Sequence, residues 1–395
     1  MKIVQKIIKD VKQNKDRAVR KYTELFDKIK LKSFRVNKKE IREAYKKTDK
    51  KIVEVIRKAA IRIEEFAKRQ FKQFKDFEYT KDGITLGQKI IPIKRVGVYV
   101  PGGNYPLPSS ALMCIIPAKV AGVKEIIVCS PKIKPITIIA AHLAGATHIF
   151  KIGGAQAIAA MAYGTETIPK VDKIVGPGNI YVTEAKREVF GSCGIEFLAG
   201  PTEILIIADK QANPKFVAAD LLAQAEHDIN AKLYLVTTSK RLVNKVKKEI
   251  KSQLRNLVTK EIIKKSLKQM EVILVKNLKK AIEIANEKAP EHLSLQIKNP
   301  KKYLNQFKNY GSLFLGEYSP VAFGDYCSGT NHVLPTSGSA KFTGGLSVKD
   351  FIKIQTYQYI SKKGAKNLAK IGIKFASIEG LEAHKKSIEI RIKNE

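Results

Sequence analysis

The hydrophobic pattern of this chain predicts an α/β architecture of two similar units, each a parallel sheet covered by helices. From Arg95 onward, short apolar runs (VGVYV, EIIVCS, HIFKIGG, KIVGPG) alternate with helix-period segments and alanine-rich stretches such as IIAAHLAGA. Runs this continuously apolar suit strands buried on both faces, hence parallel strands. After an AGPTE turn the alternation restarts with ILIIAD, KLYLVTT, EVILV, HLSLQI and GSLFLG. The 395 residues, 44% of them hydrophobic, also exceed the roughly 250–300 at which a single core stops growing, so two main bodies are expected.

Residues 3 to 74 read as charged amphipathic helices preceding the first sheet: Ile3, Ile7, Ile8 and Val11 keep helical spacing, as do Ile52, Val55, Ile56, Ala59 and Ile63. The first strand then runs into Pro101-Gly102-Gly103, with a proline-limited helix start near Ser109. Gly153-Gly154 and Gly176-Pro177-Gly178 are turns of the same kind. None has the spacing GxGxxG, so each alone reads more readily as a tight connection than as a dinucleotide site. All three fall at strand carboxyl ends, where open parallel sheets bind ligands, and Tyr99, Gln156 and Asn179 sit there.

In NPKFVAADLLAQAEHD, Asn213 suits an N-cap and Pro214 the first helical position. Asp220, Gln224 and His227 then share one face, with Val217, Leu221 and Ala225 buried nearby. An amide and an imidazole one turn apart could grip a metal; a solvated polar face is the plainer alternative. Pro290-Glu291-His292 ends a helix and opens the strand HLSLQI, with Leu293, Leu295 and Ile297 on one face and His292 on the other. That carboxylate and imidazole could do acid–base work, against the alternative of an ordinary exposed strand edge.

GDYCSGTNHVLPTSGSA is too long to be a mere connection and holds Asp325, Asn331 and His332, of which Asp325 could be a hard oxygen ligand. Beyond Phe342 a glycine pair and a helical stretch around Asp350 to Lys370 lead to a basic tail ending in alternating IEIRI, too small for a core of its own. Within it EGLEAHKKS presents Glu379, Glu382 and His384. His142 and His148 flank ordinary α/β packing and are expected to be structural.

The formal charge of +36 comes from lysines scattered over helices, as at Lys245, Lys247, Lys248 and Lys251, with no aromatic-interleaved basic motif. A solvated basic surface is expected, with no specific nucleic-acid partner. Four cysteines (Cys114, Cys129, Cys193, Cys327) without CxxC spacing suggest buried thiols, neither disulfides nor a thiolate metal cluster. The start MKIVQKIIKDVKQNKD lacks the apolar core of a signal peptide, and no later run reaches 18 uncharged apolar residues. A cytoplasmic protein with no membrane partner is expected.

Taken together and in order, VGVYVPGG, GGAQAIAA, PKVDKIVGPGN, VTEAKR, AGPTE, FVAADLLAQAEH, APEHL, GDYCSGTNHVLPT and EGLEAHK resemble the histidinol dehydrogenase family over nearly the whole chain. The resemblance implies a zinc-dependent, NAD-linked four-electron oxidation of L-histidinol through L-histidinaldehyde to L-histidine, the last steps of histidine biosynthesis. It implies a homodimer with a shared active site, one Zn2+ per subunit, and two incomplete Rossmann-like domains per chain. Residues 1–98 and 203–346 would form the zinc and substrate side, 99–202 the NAD side, and 347–395 an arm docking on the partner.

Carried over by position, Gln224, His227 and Asp325 would be zinc ligands, completed by His384 of the other subunit. His292 would accept the alcohol proton, Glu291 would activate water for the aldehyde step, and Tyr99, Gln156 and Asn179 would contact NAD. Thr202, standing where the family commonly has serine, and Glu379 would face the substrate together with these ligands and bases. Relative to many members the chain starts at the first large domain, which bears on dimer stability. A relative acting on a sulfonated diol would need cations in the pocket, whereas Glu291 and Glu379 suit an amine.

Overall fold

The computed structural model describes residues 1–102 and 106–393, so Gly103 of the first glycine turn lies outside the described residues. Three helices open the chain: α1 (Lys2–Asp27), α2 (Lys38–Lys47) and α3 (Lys50–Phe71). Val4, Ile7, Ile8 and Val11 form the buried stripe of α1, while Ile3 is exposed. Strands β1 (Phe77–Lys81) and β2 (Ile84–Pro92) follow as a hairpin turned by Asp82-Gly83, both at positive φ (52° and 82°) as a tight two-residue turn requires.

The first parallel sheet comprises β3 (Arg95–Tyr99), β4 (Glu125–Cys129), β5 (His148–Phe150), β6 (Lys173–Val175) and β7 (Gly194–Ile195), in the order β5-β4-β3-β6-β7. Its helices are α4 (Pro108–Val120), α5 (Pro135–Ala144), α6 (Gly154–Tyr163) and α7 (Ile180–Val189). The second comprises β8 (Glu203–Ala208), β9 (Lys232–Thr237), β10 (Glu271–Leu274), β11 (His292–Gln296) and β12 (Ser312–Leu315), in the order β10-β9-β8-β11-β12. Its helices are α8 (Pro214–Ala225), α9 (Lys240–Leu254), α10 (Lys260–Leu267), α11 (Leu278–Lys288) and α12 (Val321–Tyr326). Each sheet starts at its middle strand, winds one way, and crosses to the other side for its last two strands, as in a half-complete Rossmann fold. Every residue of β8 and of β11 is buried; β8 reads as an apolar run after Glu203, whereas the alternating β11 buries His292, Ser294 and Gln296 as well as its leucines.

The C-terminal segment departs from expectation. Residues Ile352–Ile360 form a strand, β13, paired antiparallel with all of β2, so the expected helix around Asp350 begins only at α13 (Lys362–Ile378). The alternating IEIRI lies in a last helix, α14 (Glu382–Ile392), packed on α13. Alternation in so short a run does not separate strand from helix, and a neighbouring helix decides the matter here.

The expected grouping of residues 1–98 with 203–346 is not the one the packing makes. Helices α1 to α3 cover α4 to α7, and β3 is the central strand of the first sheet, paired with β4 and β6. Val333, Leu346, Val348 and Phe351 also enter the core of the first body. The physical reason is the hydrophobic stripes of α1 and α3, which are buried against that sheet's helices. Cys114, Cys129 and Cys193 are buried free thiols, whereas Cys327 is exposed, against expectation. Among the described residues no helix is long and apolar enough to cross a membrane.

Candidate active site

The centre of the site is a hydrogen-bonded chain across the amino ends of the second sheet. Gln224, in the last turn of α8, donates through Nε2 to Thr202 Oγ1 at 2.5 Å. Thr202, just before β8, donates in turn to Glu291 Oε2 at 2.5 Å, and the Glu203 backbone N–H donates to that same oxygen at 2.9 Å. His292 begins β11, the strand beside β8, with Glu291 just before it, and Glu291 and His292 are 7% and 4% exposed. Both bonds to Glu291 use one carboxylate oxygen, which leaves Oε1 for another proton or water.

His292 Nδ1 lies 3.0 Å from the Glu203 carbonyl and 3.4 Å from Glu291 Oε2. Facing a carbonyl, Nδ1 must carry the proton, so Nε2 is the basic atom of the neutral ring. That Nε2 is buried and has no partner among the described residues. Burial opposes charging the ring, but the carboxylate of Glu291 outweighs it, with help from Asp325, and lifts the pKa to about 9.

α8 forms as its sequence predicts: Asn213 caps it by accepting from Lys215 N–H, and Pro214 takes the first position. Its polar face is not solvated, for Asp220 is 9% and Gln224 2% exposed. The helix ends at Ala225, so His227 stands in the turn beyond it, exposed, with its amide still bonded to the Gln224 carbonyl at 3.4 Å. α12, which carries Asp325, packs against α8.

These donors fit a zinc ion in kind. Gln224 donates an N–H to Thr202 and keeps its carbonyl oxygen, Asp325 supplies a carboxylate and His227 an imidazole. Among the described residues no group of three or more His, Cys, Asp or Glu side chains stands ready to hold a metal. Glu379, the C-cap of α13, and His384, on α14, are exposed on the arm, whose main packing is on β13 and on itself. One chain therefore does not gather the expected set.

His332 belongs with this cluster although its role was not picked out from sequence. Its Nδ1 is 2.9 Å from the Asp325 carbonyl and its Nε2 3.4 Å from Ser110 Oγ, and burial pushes its pKa down. Its loop clamps the two bodies together: Asn331 donates to the Met113 carbonyl, Gly200 N–H to Thr336 Oγ1, and Ser337 N–H to Glu203 Oε1. The length of that loop was the available signal.

The first sheet meets this centre with its carboxyl ends. Tyr99 closes β3, buried, and its hydroxyl accepts from Gly154 N–H at 3.1 Å; burial pushes its pKa up to about 12. Gln156, on α6, is 1% exposed with its Oε1 unpartnered among the described residues. Asn179 caps α7, its side-chain oxygen accepting from Tyr181 and Val182 N–H. Gly176 sits at φ +118°, and a Cβ there would lie 2.1 Å from the Tyr99 carbonyl, so this turn tolerates glycine alone. The turn is held by a buried pair that sequence reasoning missed: Lys186 Nζ meets Glu196 Oε1 at 2.7 Å, and that oxygen also accepts from Gly176 N–H. Past the carboxyl ends of β4 and β5, a cavity of about 360 Å³ is lined by Thr23, Asp27, Lys132, Lys134 and Lys151. His142 and His148 stand apart on α5 and β5, the former paired with the Tyr45 hydroxyl.

A model of the histidinol dehydrogenase family matches residues 1–392. The chain is 50% identical to histidinol dehydrogenase from Methanocaldococcus jannaschii over 99% of its own length and 92% of that protein's. It is also 50% identical to the Clostridium acetobutylicum enzyme, covering all of this chain and 92% of the relative. The crystal structure of histidinol dehydrogenase from Elizabethkingia anophelis superposes with a TM-score of 0.95 at 41% identity, over 99% of this chain and 92% of that one. A likeness of this extent, over both sheets, the arm and the polar centre between them, establishes that the chain belongs to the histidinol dehydrogenase family and is an oxidoreductase.

Proposed function

We propose that the protein oxidises L-histidinol through L-histidinaldehyde to L-histidine, taking four electrons to two molecules of NAD with one zinc ion per subunit. The observation that carries this reading is the Gln224–Thr202–Glu291 chain beside a buried His292 whose Nε2 is left without a partner among the described residues. A carbinol carbon gives up hydride only as its hydroxyl loses a proton, and the neutral form of His292, whose population grows as the pH rises toward 9, takes it at Nε2. In the second half, Glu291 Oε1 draws a proton from water as that water adds to the aldehyde carbon, and the hydrate then loses the second hydride. The balance is one alcohol, one water and two NAD giving one carboxylate, two NADH and three protons.

Gln224, His227 and Asp325 would hold zinc, whose chemistry is to anchor and orient the substrate's amine and imidazole. Glu379 and His384 would complete the site from a second copy. Support for that copy comes from the bare apolar surface of the arm and its sheet, where Phe77, Tyr79, Ile354, Tyr359, Phe375 and Ile378 are all more than half exposed. Tyr99, Gln156 and Asn179 would contact NAD, and the lysine-lined cavity past the carboxyl ends of β4 and β5 suits an anionic group.

The test is NADH formed per L-histidinol consumed by purified protein, with zinc and after chelation. Two NADH per substrate, lost on chelation and restored by zinc, is the expected result. One NADH per substrate, or turnover indifferent to chelation, overturns it.

A further inference from the structure

Helix α8 is tied to the second sheet at two buried polar points. One is the Gln224–Thr202 bond at the site. The other lies deeper, where Gln296 Nε2 donates to Asp220 Oδ2 at 2.8 Å. As the crossover between parallel β8 and β9, α8 runs against the strand direction, so its earlier residue, Asp220, meets the carboxyl end of β11 and its later one, Gln224, the amino end of β8. Asp220 and Gln224 are four apart on one helix face, and His292 and Gln296 four apart on one strand face.

Around this second tie the packing is aliphatic, with Ile204, Ile206, Leu221, Leu222 and Leu235 in one core. Asp220 and Gln296 are 9% and 2% exposed, and burial raises the Asp220 carboxyl to about 7. Such a group stabilises little: an aliphatic pair of the same volume would pack as well or better. What the polar pair adds is register. Aliphatic surfaces slide over one another at small cost, whereas a buried hydrogen bond permits one alignment. Ser294 Oγ and Gln296 Oε1, on the same face of β11, have no partner among the described residues. Behind the site, then, the Asp220–Gln296 bond is what discriminates between alignments.

The helix leads to the Gln224–His227 pair and the strand begins with His292. We propose that Asp220 is a positioning residue, whose bond to Gln296 fixes the register of α8 on β11 and thereby the spacing between Gln224–His227 and Glu291–His292. The inference rests on the zinc reading of that site.

The experiment compares wild type, D220N and the double variant D220L/Q296L, which strands neither polar partner. Readouts are zinc affinity by competition with a chromophoric chelator, Tm, kcat and KM for L-histidinol, and the imidazole 15N shifts of His292. The amide of D220N keeps a carbonyl for Gln296, so its zinc affinity stays within about threefold of wild type. D220L/Q296L keeps or gains Tm, yet loses about tenfold or more in zinc affinity and more in kcat than in KM. D220L/Q296L with wild-type zinc affinity and kcat overturns the inference. So does D220N failing as badly as the double variant, or zinc affinity and Tm falling together in the double variant. A wild type that takes up no zinc breaks the metal reading separately; register is then read from His292, and unchanged 15N shifts in D220L/Q296L overturn it.

Discussion

The two five-stranded sheets share one strand order and, on the proposed function, turn opposite ends toward the chemistry. The first offers carboxyl ends: Tyr99 after the middle strand, the Gly153-Gly154 turn after β5, and Gly176 to Asn179 after β6. The second offers amino ends, with Thr202 just before β8 and Glu291-His292 at the start of β11. On the proposed NAD contacts, the rule that open parallel sheets bind at their carboxyl ends would hold for the first sheet, whereas the Thr202–Glu291–His292 centre lies at the amino ends of the second. What differs is the kind of group presented. The first sheet brings backbone turns, two of them with glycine at positive φ, which suit close approach by a large ligand. The second brings buried side chains bonded to one another, which suits proton transfer at a fixed atom.

If the second sheet does the proton work, its variants should fail in chemistry. We expect H292N to lower the rate of alcohol oxidation by about a thousandfold, within the usual span for losing a general base. E291Q should harm aldehyde oxidation more and let aldehyde accumulate. Single-turnover rates with L-histidinol and with the aldehyde distinguish them, and equal losses in both steps for both variants would contradict the assignment.

The shared site gives the next largest effect. H384N and Q224A homodimers should both be inactive, yet in a random mixture half the dimers are hybrids with one of two sites intact, restoring about a quarter of wild-type activity. Proven hybrids without recovery would place both residues in one subunit's site, or outside it.

In the first sheet the corresponding variant should fail in binding. G176A puts a Cβ where the Tyr99 carbonyl stands, in a backbone conformation that costs alanine about 1–3 kcal/mol. The turn and Asn179 must shift, so KM for NAD should rise about tenfold while zinc content and the Glu291–His292 centre are kept. Loss of zinc in G176A with an unchanged KM for NAD would erase the division of labour between the sheets.

Sequence reasoning reached the parallel strands and the polar centre because both depend on short-range signals: continuously apolar runs, an Asn213-Pro214 helix start, an acid and an imidazole side by side at Glu291-His292. It missed the antiparallel sheet, although Asp82-Gly83 between the alternating FEYTK and ITLG was a usable hairpin signal, because β13 lies some 270 residues from its partner β2. It assigned α1 to α3 to the wrong body for a similar reason: a hydrophobic stripe declares that a helix packs, and leaves open on what. Lys186 and Glu196 were invisible as a pair, since nothing in their spacing says that both point at the Gly176 turn.

The smallest effect concerns stability, and it sets the interior of the second sheet against its mouth. Asp220 ionises at about 7 in the folded protein and near 3.8 when unfolded, burial being the main cause and the Gln296 bond opposing it. Between those values the native carboxyl keeps a proton that the unfolded chain releases. Its contribution to stability is therefore complete below pH 4 and lost as the pH rises through 7. D220N cannot titrate, so its stability relative to wild type should climb over that interval, by a few kcal/mol at most, about 1.4 kcal/mol for each unit of pKa difference. Urea denaturation of both proteins at pH 4, 6 and 8 reads the effect directly. Parallel curves at all three values would mean that Asp220 is already ionised and solvated in the native state, and the boundary between a wet mouth and a dry interior would have to be drawn deeper than β11.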